Sequence, residues 1–181
     1  MYRYESGVCK QLSQLPLAYD PTITGALTDK ATYVITGGMG GLGQLFARYL
    51  AQEYSANLIL IGRSKLDKEY ESTLQRLRAV GATSVSYECL DIRDVASLQI
   101  LVNELDRKNR KVEGVIHAAG IESQNSIMEA SWDEFDTVLA ANVAGTLAIN
   151  KAFSGCEWLC YFSSSSAILG DFGSCSYAVG K

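Results

Sequence analysis

Proline and histidine are nearly absent from this chain. The 181 residues include two prolines, Pro16 and Pro21, and one histidine, His117. Both prolines fall in one short stretch near the N-terminus, which reads as a linker. No apolar run approaches the ~20 residues that a membrane helix needs, and the N-terminal Met-Tyr-Arg-Tyr-Glu-Ser-Gly lacks the apolar core of a signal peptide. These absences point to a soluble cytoplasmic protein with no membrane partner. The five cysteines, at 9, 89, 156, 160 and 175, are odd in number and lack a Cys-x-x-Cys pair. That argues for reduced thiols and against a disulfide framework or a zinc site, so no metal is expected. The formal charge of -4, with both signs interspersed and no basic cluster or aromatic ladder, supplies no field for nucleic acid.

What is present is a repeated change of period. Residues 2 to 15 alternate loosely around Ser6-Gly7 and suggest a hairpin. From Ala31 a different pattern begins. Strand-like runs at Thr32–Thr36, Asn57–Ile61, Ser84–Leu90, Val112–Ala118 and Glu157–Phe162 alternate with helical runs. The helices are expected at Gln44–Gln52, at Asp67–Val80 with Gly81 as its stop, at Asp94–Lys108, and in one long helix from Trp132 closed by Gly155. Ser131 and Glu134 have the spacing of a capping box at the start of that long helix, and Tyr177 opens a last one. Alternating strands and helices of these lengths predict an α/β fold of Rossmann type, a doubly wound parallel sheet with right-handed crossovers. The expected division is 1–30 as hairpin and linker and 31–181 as the nucleotide-binding unit. A six-strand sheet would leave this chain, with five strands and a helix start, incomplete at its C-terminal end.

Thr36-Gly37-Gly38-Met39-Gly40-Gly41-Leu42-Gly43 follows a strand and opens a helix, the context in which a glycine-rich turn binds a dinucleotide. Gly37 permits the tight turn, Gly41 lets backbone approach a pyrophosphate, and Gly43 allows close helix packing, with phosphate on the helix N-terminus. The plainer alternative is a glycine turn without a ligand. An NAD-binding protein usually ends its second strand on an acidic residue, whereas this chain has Gly62-Arg63-Ser64-Lys65. Cationic and hydroxyl groups suit a 2′-phosphate, which favours NADPH over NADH, although Arg63 and Lys65 could simply be solvated loop charges.

Tyr177 and Lys181 stand four residues apart, on one face of a helix, and Ser164 lies thirteen residues before the tyrosine. A phenol, with an ordinary pKa of about 10, is a poor acid at neutral pH unless an adjacent cation favours the phenolate. The set reads as a nicotinamide-dependent carbonyl reductase. Each member has a bland alternative. Ser164 is one of four consecutive serines that could cap a turn, Tyr177 is one of ten tyrosines, and Asn142 in a helix could mark a local distortion. His117 reads as a structural residue at a strand end, and Trp132 and Trp158 as core or flank aromatics.

On these residues the chain resembles the short-chain dehydrogenase/reductase superfamily, and within it the ketoreductase domains of modular polyketide synthases. Thr36-Gly37-x-x-x-Gly41-x-Gly43 is the superfamily's cofactor loop. Gly62-Arg63-Ser64, Gly114-Val-Ile-His-Ala-Ala-Gly120 and Phe162-Ser-Ser-Ser-Ser-Ala-Ile-Leu-Gly170 are similar to the ketoreductases, over about Ala31 to Lys181. The resemblance implies that Tyr177 is the proton donor, that Ser164 orients the carbonyl, that Lys181 assists the tyrosine and holds the nicotinamide ribose, and that Asn142 supports a relay water. It places Asp91, with Ile92, at the adenine and Ala118, Ala119 and Gly120 along the cofactor. Those ketoreductases commonly have lysine where this chain has Asn142 and asparagine where it has Lys181; the arrangement here is that of the wider superfamily. The Leu-Asp-Asp triplet of one ketoreductase class is replaced by Glu122-Ser123-Gln124, and the tryptophan of the other class is also missing, with Leu169 eight residues before Tyr177.

The resemblance implies NADPH-dependent reduction of a ketone on an acyl chain tethered to the phosphopantetheine of an acyl carrier protein, among neighbouring megasynthase domains. The hairpin would then be the tail of a preceding structural subdomain, and Met1 a cut. A stand-alone reductase of small carbonyl compounds and a non-catalytic nucleotide-binding fragment are the alternatives. A chain ending at Lys181 is expected to bind cofactor weakly and turn over poorly.

Overall fold

The computed structural model describes residues 2–11, 25, 27–171 and 173–181. At the N-terminus, Tyr2–Glu5 (β1) and Val8–Gln11 (β2) pair antiparallel, and the turn residues Ser6 and Gly7 both have positive φ, 51° and 78°. That is the backbone twist a two-residue hairpin needs. The linker prolines lie outside the described residues.

The main sheet has five parallel strands, Thr32–Thr36 (β3), Asn57–Gly62 (β4), Ser84–Cys89 (β5), Val112–His117 (β6) and Trp158–Tyr161 (β7), in the order β5-β4-β3-β6-β7. Successive side chains point to opposite faces, so each strand feeds two cores. Tyr33, Ile35, Leu58 and Leu60 pack with Ala47 and Leu50 of α1 (Gly41–Tyr54) and with Leu74 and Leu77 of α2 (Lys68–Ala79). Val34, Ile59, Ile61 and Val115 pack on the other face with Leu98, Leu101 and Leu105 of α3 (Val95–Arg107) and with Ala148 and Ile149 of α5 (Gly145–Ala152). The sheet is therefore doubly wound. Its winding reverses between β3 and β6, and the crevice beyond the carboxyl ends of those strands is where such folds bind ligands.

Helix starts follow the caps. The Asp67 carboxylate accepts from the Tyr70 N–H, and Asp94 accepts from the N–H groups of Ala96 and Ser97. A side-chain cap of this kind contributes about 1 kcal/mol. At α4 (Trp132–Leu139) only half of the expected capping box forms. The Ser131 hydroxyl accepts from Glu134 N–H, but the Glu134 carboxylate accepts instead from the Ser123 hydroxyl and from Asn125 Nδ2. It thereby ties the 122–125 segment to the helix and is held below the usual carboxylate range by those two bonds.

Three other expectations need correction. The helix after the glycine turn begins at Gly41 and runs to Tyr54, not Gln44 to Gln52, because Gly41 and Gly43 are helical despite their poor propensity. The long helix from Trp132 is broken: Ala140–Ala144 is a π-turn, and α5 stops at Ala152 rather than at Gly155. A short helix, α6 (Ser166–Leu169), occupies the serine-rich stretch, and the last helix, α7 (Cys175–Gly180), starts two residues before Tyr177. The tryptophans are a flank and a core aromatic, as expected: Trp132 is 86% exposed and packs edge-to-face with Phe135, whereas Trp158 packs on Tyr33 and fills the space that the missing side chain of Gly114 leaves.

Candidate active site

The glycine turn divides its labour among its residues. Gly37 has φ 64°, and a Cβ there would stand 2.8 Å from Ala119 N and 2.9 Å from the Ala118 carbonyl oxygen, so β3 and β6 meet at this point through backbone alone. A Cβ at Gly43 would run into the Gly37 carbonyl oxygen, and one at Gly38 would stand 2.7 Å from the Leu60 Cβ. Gly40 N–H closes the turn on the Gly37 carbonyl at 2.8 Å, and the Met39 carbonyl accepts from Gln44 Nε2. Gly41, in contrast, faces open space, with nothing within 4 Å of an added Cβ. Leu42 is half exposed at the helix start. A backbone pressed tight on one side and bare at the helix N-terminus on the other fits a pyrophosphate.

Beside this turn lies a cleft of about 200 Å³. Nine of the expected cofactor residues line it: Gly37, Gly40, Gly62, Arg63, Asp91, Ile92, Ala118, Ala119 and Gly120. Thr36 is buried beneath them and accepts from Ala119 N–H at 3.2 Å. Ser64 is held from outside, its carbonyl accepting from the Tyr87 hydroxyl at 2.6 Å. Arg93 and Tyr87 are additions that sequence reasoning missed. The Arg93 guanidinium grips Asp91 through Nε at 3.0 and 3.1 Å and through one terminal nitrogen at 2.7 Å, and holds the Asp91 carboxyl below its usual range. The Asp-x-Arg spacing was a local signal for that pair. Tyr87 had none, because its reach to Ser64 depends on the pairing of β4 with β5.

Of the residues expected to do chemistry, Asn142, Tyr177 and Lys181 come together beyond the end of β6, whereas the Ser164 hydroxyl bonds within its own turn. Lys181 Nζ lies 5.4 Å from the centroid of the Tyr177 ring and donates to the Phe162 carbonyl at 3.3 Å. Burial pushes the Lys181 ammonium below its ordinary pKa. A Cβ at Gly120 would stand 3.3 Å from Lys181 Nζ and 3.0 Å from Asn142 Oδ1, which brings the end of β6, the π-turn and α7 to one point. Asn142 is 5% exposed and clamps the chain after Gly120: Ile121 N–H donates to its Oδ1 at 2.9 Å and its Nδ2 donates to the Ile121 carbonyl at 3.0 Å. The Ser164 hydroxyl is half buried and accepts from Ser166 N–H at 3.2 Å, while Ser163 donates to the Lys181 carbonyl. Asn142 thus lies within the π-turn and also beside Gly120 and Lys181; π-turns often occur at functional sites.

His117 lies under this assembly, 5% exposed, with Thr36 Oγ1 2.6 Å from Nδ1 and Thr146 Oγ1 3.1 Å from Nε2. Burial, and to a lesser degree the charge of Lys181, pushes its pKa down to about 4. It is a neutral structural imidazole.

Similarity to known proteins agrees with this geometry. The family model described as KR domain matches residues 31–181. The chain is 41% identical over 157 residues to polyketide synthase PksM of Bacillus subtilis (strain 168), which covers 86% of this chain and 4% of that protein. It therefore spans only a few per cent of the length of such a relative. Its fold aligns with the crystal structure of a ketoreductase domain from the bacillaene assembly line, with TM-score 0.84 and 30% identity over 99% of this chain and 43% of that one. For an N-terminal ketoreductase from the macrolactin assembly line the TM-score is 0.79, with 33% identity over 84% and 32%. With the glycine turn, the cleft and the gathered side chains in hand, the chain is assigned to the KR domain family, the ketoreductase domains of polyketide synthases, which share the short-chain dehydrogenase/reductase fold.

Proposed function

We propose that residues 31–181 form the NADPH-binding and proton-donating part of a domain that reduces a ketone on an acyl chain. That chain is tethered as a thioester to the phosphopantetheine of an acyl carrier protein. Residues 1–30 are then the tail of a preceding structural subdomain, and the domain works in the cytoplasm beside other domains of a large synthase.

The observation that carries the reading is the meeting of Asn142 and Lys181, beside the Tyr177 ring, at Gly120, which also lines the cleft beside the glycine turn. Bound NADPH would supply hydride to the carbonyl carbon. Tyr177 gives its hydroxyl proton to the oxygen as negative charge develops there, so the charge is quenched as it forms. The Lys181 ammonium near the ring face favours the phenolate left behind, and its lowered pKa brings it closer to exchanging a proton with that phenolate. Ser164 donates a hydrogen bond that orients the carbonyl. Asn142 holds Ile121 by both backbone groups and so keeps the end of β6 against Lys181. Arg63, which lines the cleft, and the adjacent Ser64 suit a 2′-phosphate.

The test is NADPH oxidation by protein extended past Lys181 along its natural sequence, given a ketoacyl pantetheine thioester, with NADH and Tyr177→Phe as controls. NADPH-selective turnover that Tyr177→Phe abolishes without loss of NADPH affinity supports the reading. Turnover retained in Tyr177→Phe would sink it.

A further inference from the structure

The hydrogen bonds around His117 form a single directed chain. At one end, the Asn142 backbone carbonyl can only accept, so the Thr146 hydroxyl, 2.5 Å away, donates its one proton there. Thr146 Oγ1 can then only accept from His117 Nε2, which must carry a hydrogen. A neutral imidazole with hydrogen on Nε2 leaves Nδ1 bare, and Nδ1 accepts from Thr36 Oγ1 at 2.6 Å. Thr36 in turn accepts from Ala119 N–H. Every hydroxyl in the run gives one proton and takes one bond, and no other tautomer satisfies all of them. The low pKa of His117 agrees with the neutral ring.

The two ends of the chain belong to different parts of the site. Thr36 and Ala119 form the floor of the cofactor cleft, where β3 passes into the glycine turn. Asn142 is the centre of the π-turn, and its side chain clamps Ile121. A π-turn leaves backbone groups out of ordinary helical register, and here Thr146 takes the Asn142 carbonyl from one turn further along.

We infer that His117, as its Nε2–H tautomer, is a positioning residue: through Thr146 it sets the Asn142 π-turn against the floor of the cofactor cleft, and so aligns the proton-donating side chains with the bound cofactor. His117 touches neither substrate nor cofactor in this arrangement. The inference deepens the ketoreductase reading and rests on it for the catalytic consequence, while the coupling itself stands on geometry alone.

The first measurement uses the unaltered protein. His117 is the sole histidine, so one pair of ¹⁵N imidazole resonances reports its state directly. A pyrrole-type Nε2 and a pyridine-type Nδ1 near neutral pH are expected; the reverse pattern, or a doubly protonated ring, overturns the inference. The second measurement uses Thr146→Val, which keeps shape and removes the hydroxyl, and Thr146→Ser, which restores it. Thr146→Val is expected to speed amide exchange at Ile121 and to lower kcat by about ten- to hundredfold, with the KM for NADPH changed by less than about twofold. Thr146→Ser should recover both. Unchanged Ile121 exchange in Thr146→Val overturns the coupling, and unchanged kcat overturns the positioning role. Should the unaltered protein fail to reduce any ketoacyl thioester, the catalytic reading falls, and the ¹⁵N pattern and Ile121 exchange still decide the coupling.

Discussion

The Tyr87 hydroxyl donates to the Ser64 carbonyl at 2.6 Å and would stand 2.7 Å from any Cβ placed on Gly62. One phenol thus holds a carbonyl of the loop expected to face the 2′-phosphate and crowds any side chain placed on Gly62. Burial pushes the Tyr87 hydroxyl up to about 12, so it remains a donor across the working pH range. Two residues further along the strand, the Cys89 thiol reaches the Arg63 carbonyl at 3.4 Å.

Tyr87→Phe should therefore weaken NADPH binding by about three- to tenfold, the worth of one hydrogen bond, and narrow the proposed preference over NADH. Fluorescence titration with both cofactors checks this. An equal loss for both would mean that the ring acts by packing and not by fixing the loop.

The glycine turn separates stability from binding. Gly43→Ala drives a Cβ into the Gly37 carbonyl oxygen and should cost about 1–3 kcal/mol in urea unfolding. Gly41→Ala meets nothing within 4 Å and removes a poor helix former, so it should leave stability unchanged or raise it by up to about 1 kcal/mol. It should nevertheless weaken NADPH binding, because the methyl enters the space proposed for the pyrophosphate. A Gly41→Ala variant with unaltered NADPH affinity would remove that space from the binding site.

Arg63 and Arg93 both line the cleft, but the Arg93 charge is balanced by Asp91 at 2.7 Å. Arg63→Ala should cost NADPH about tenfold or more and NADH little, as loss of a charge-assisted phosphate contact requires. Arg93→Ala leaves the Asp91 carboxylate uncompensated in the cleft and should weaken both cofactors. Its other signature is a rise in the Asp91 pKa, readable by carboxyl NMR titration, since Arg93 is the largest cause of its depression.

His117 sets a pH dependence of stability. Its folded pKa, about 4, is below the ordinary 6.5 of the unfolded chain, so between those values the unfolded state binds a proton that the folded state refuses. The His117 contribution to stability should be constant above about pH 6.5 and fall as pH drops toward 4, by about 3 kcal/mol in all. The carboxyls held low by hydrogen bonds, Asp91, Asp94, Glu134 and Glu157, lose their contributions only at the acid end of that window, and Glu88, raised by burial, opposes the trend in part. Urea unfolding at pH 7, 6 and 5 should show a slope that His117→Gln flattens.

The parallel sheet was legible because period and punctuation agreed. Runs such as Asn57–Ile61 are apolar on both faces, and Asp67 and Asp94 cap the helices that follow. Three features resisted. Gly41 and Gly43 hid the true start of α1, since glycine is chosen there for close approach and against propensity. The π-turn at Ala140–Ala144 leaves only a misplaced asparagine as its trace in the sequence. Glu134 matched a capping pattern yet found better partners in Ser123 and Asn125, which are neighbours only after folding. That the residues expected at a cofactor would share one cleft was readable because they cluster at strand ends, whereas Tyr87 and Thr146 act across elements that the sequence leaves unordered in space.

The central position of β3 also governs when this site can come into existence. Thr36 leaves the ribosome 81 residues before its partner His117, and β3 and β6 meet only after that length of chain is made. Closing so long a loop is entropically slow relative to the local pairing of β3 with β4. Nucleotide affinity therefore emerges as a late event of folding, once β6 has inserted beside β3, and a nascent chain halted before Val112 would carry the entire glycine motif yet lack one wall of the crevice.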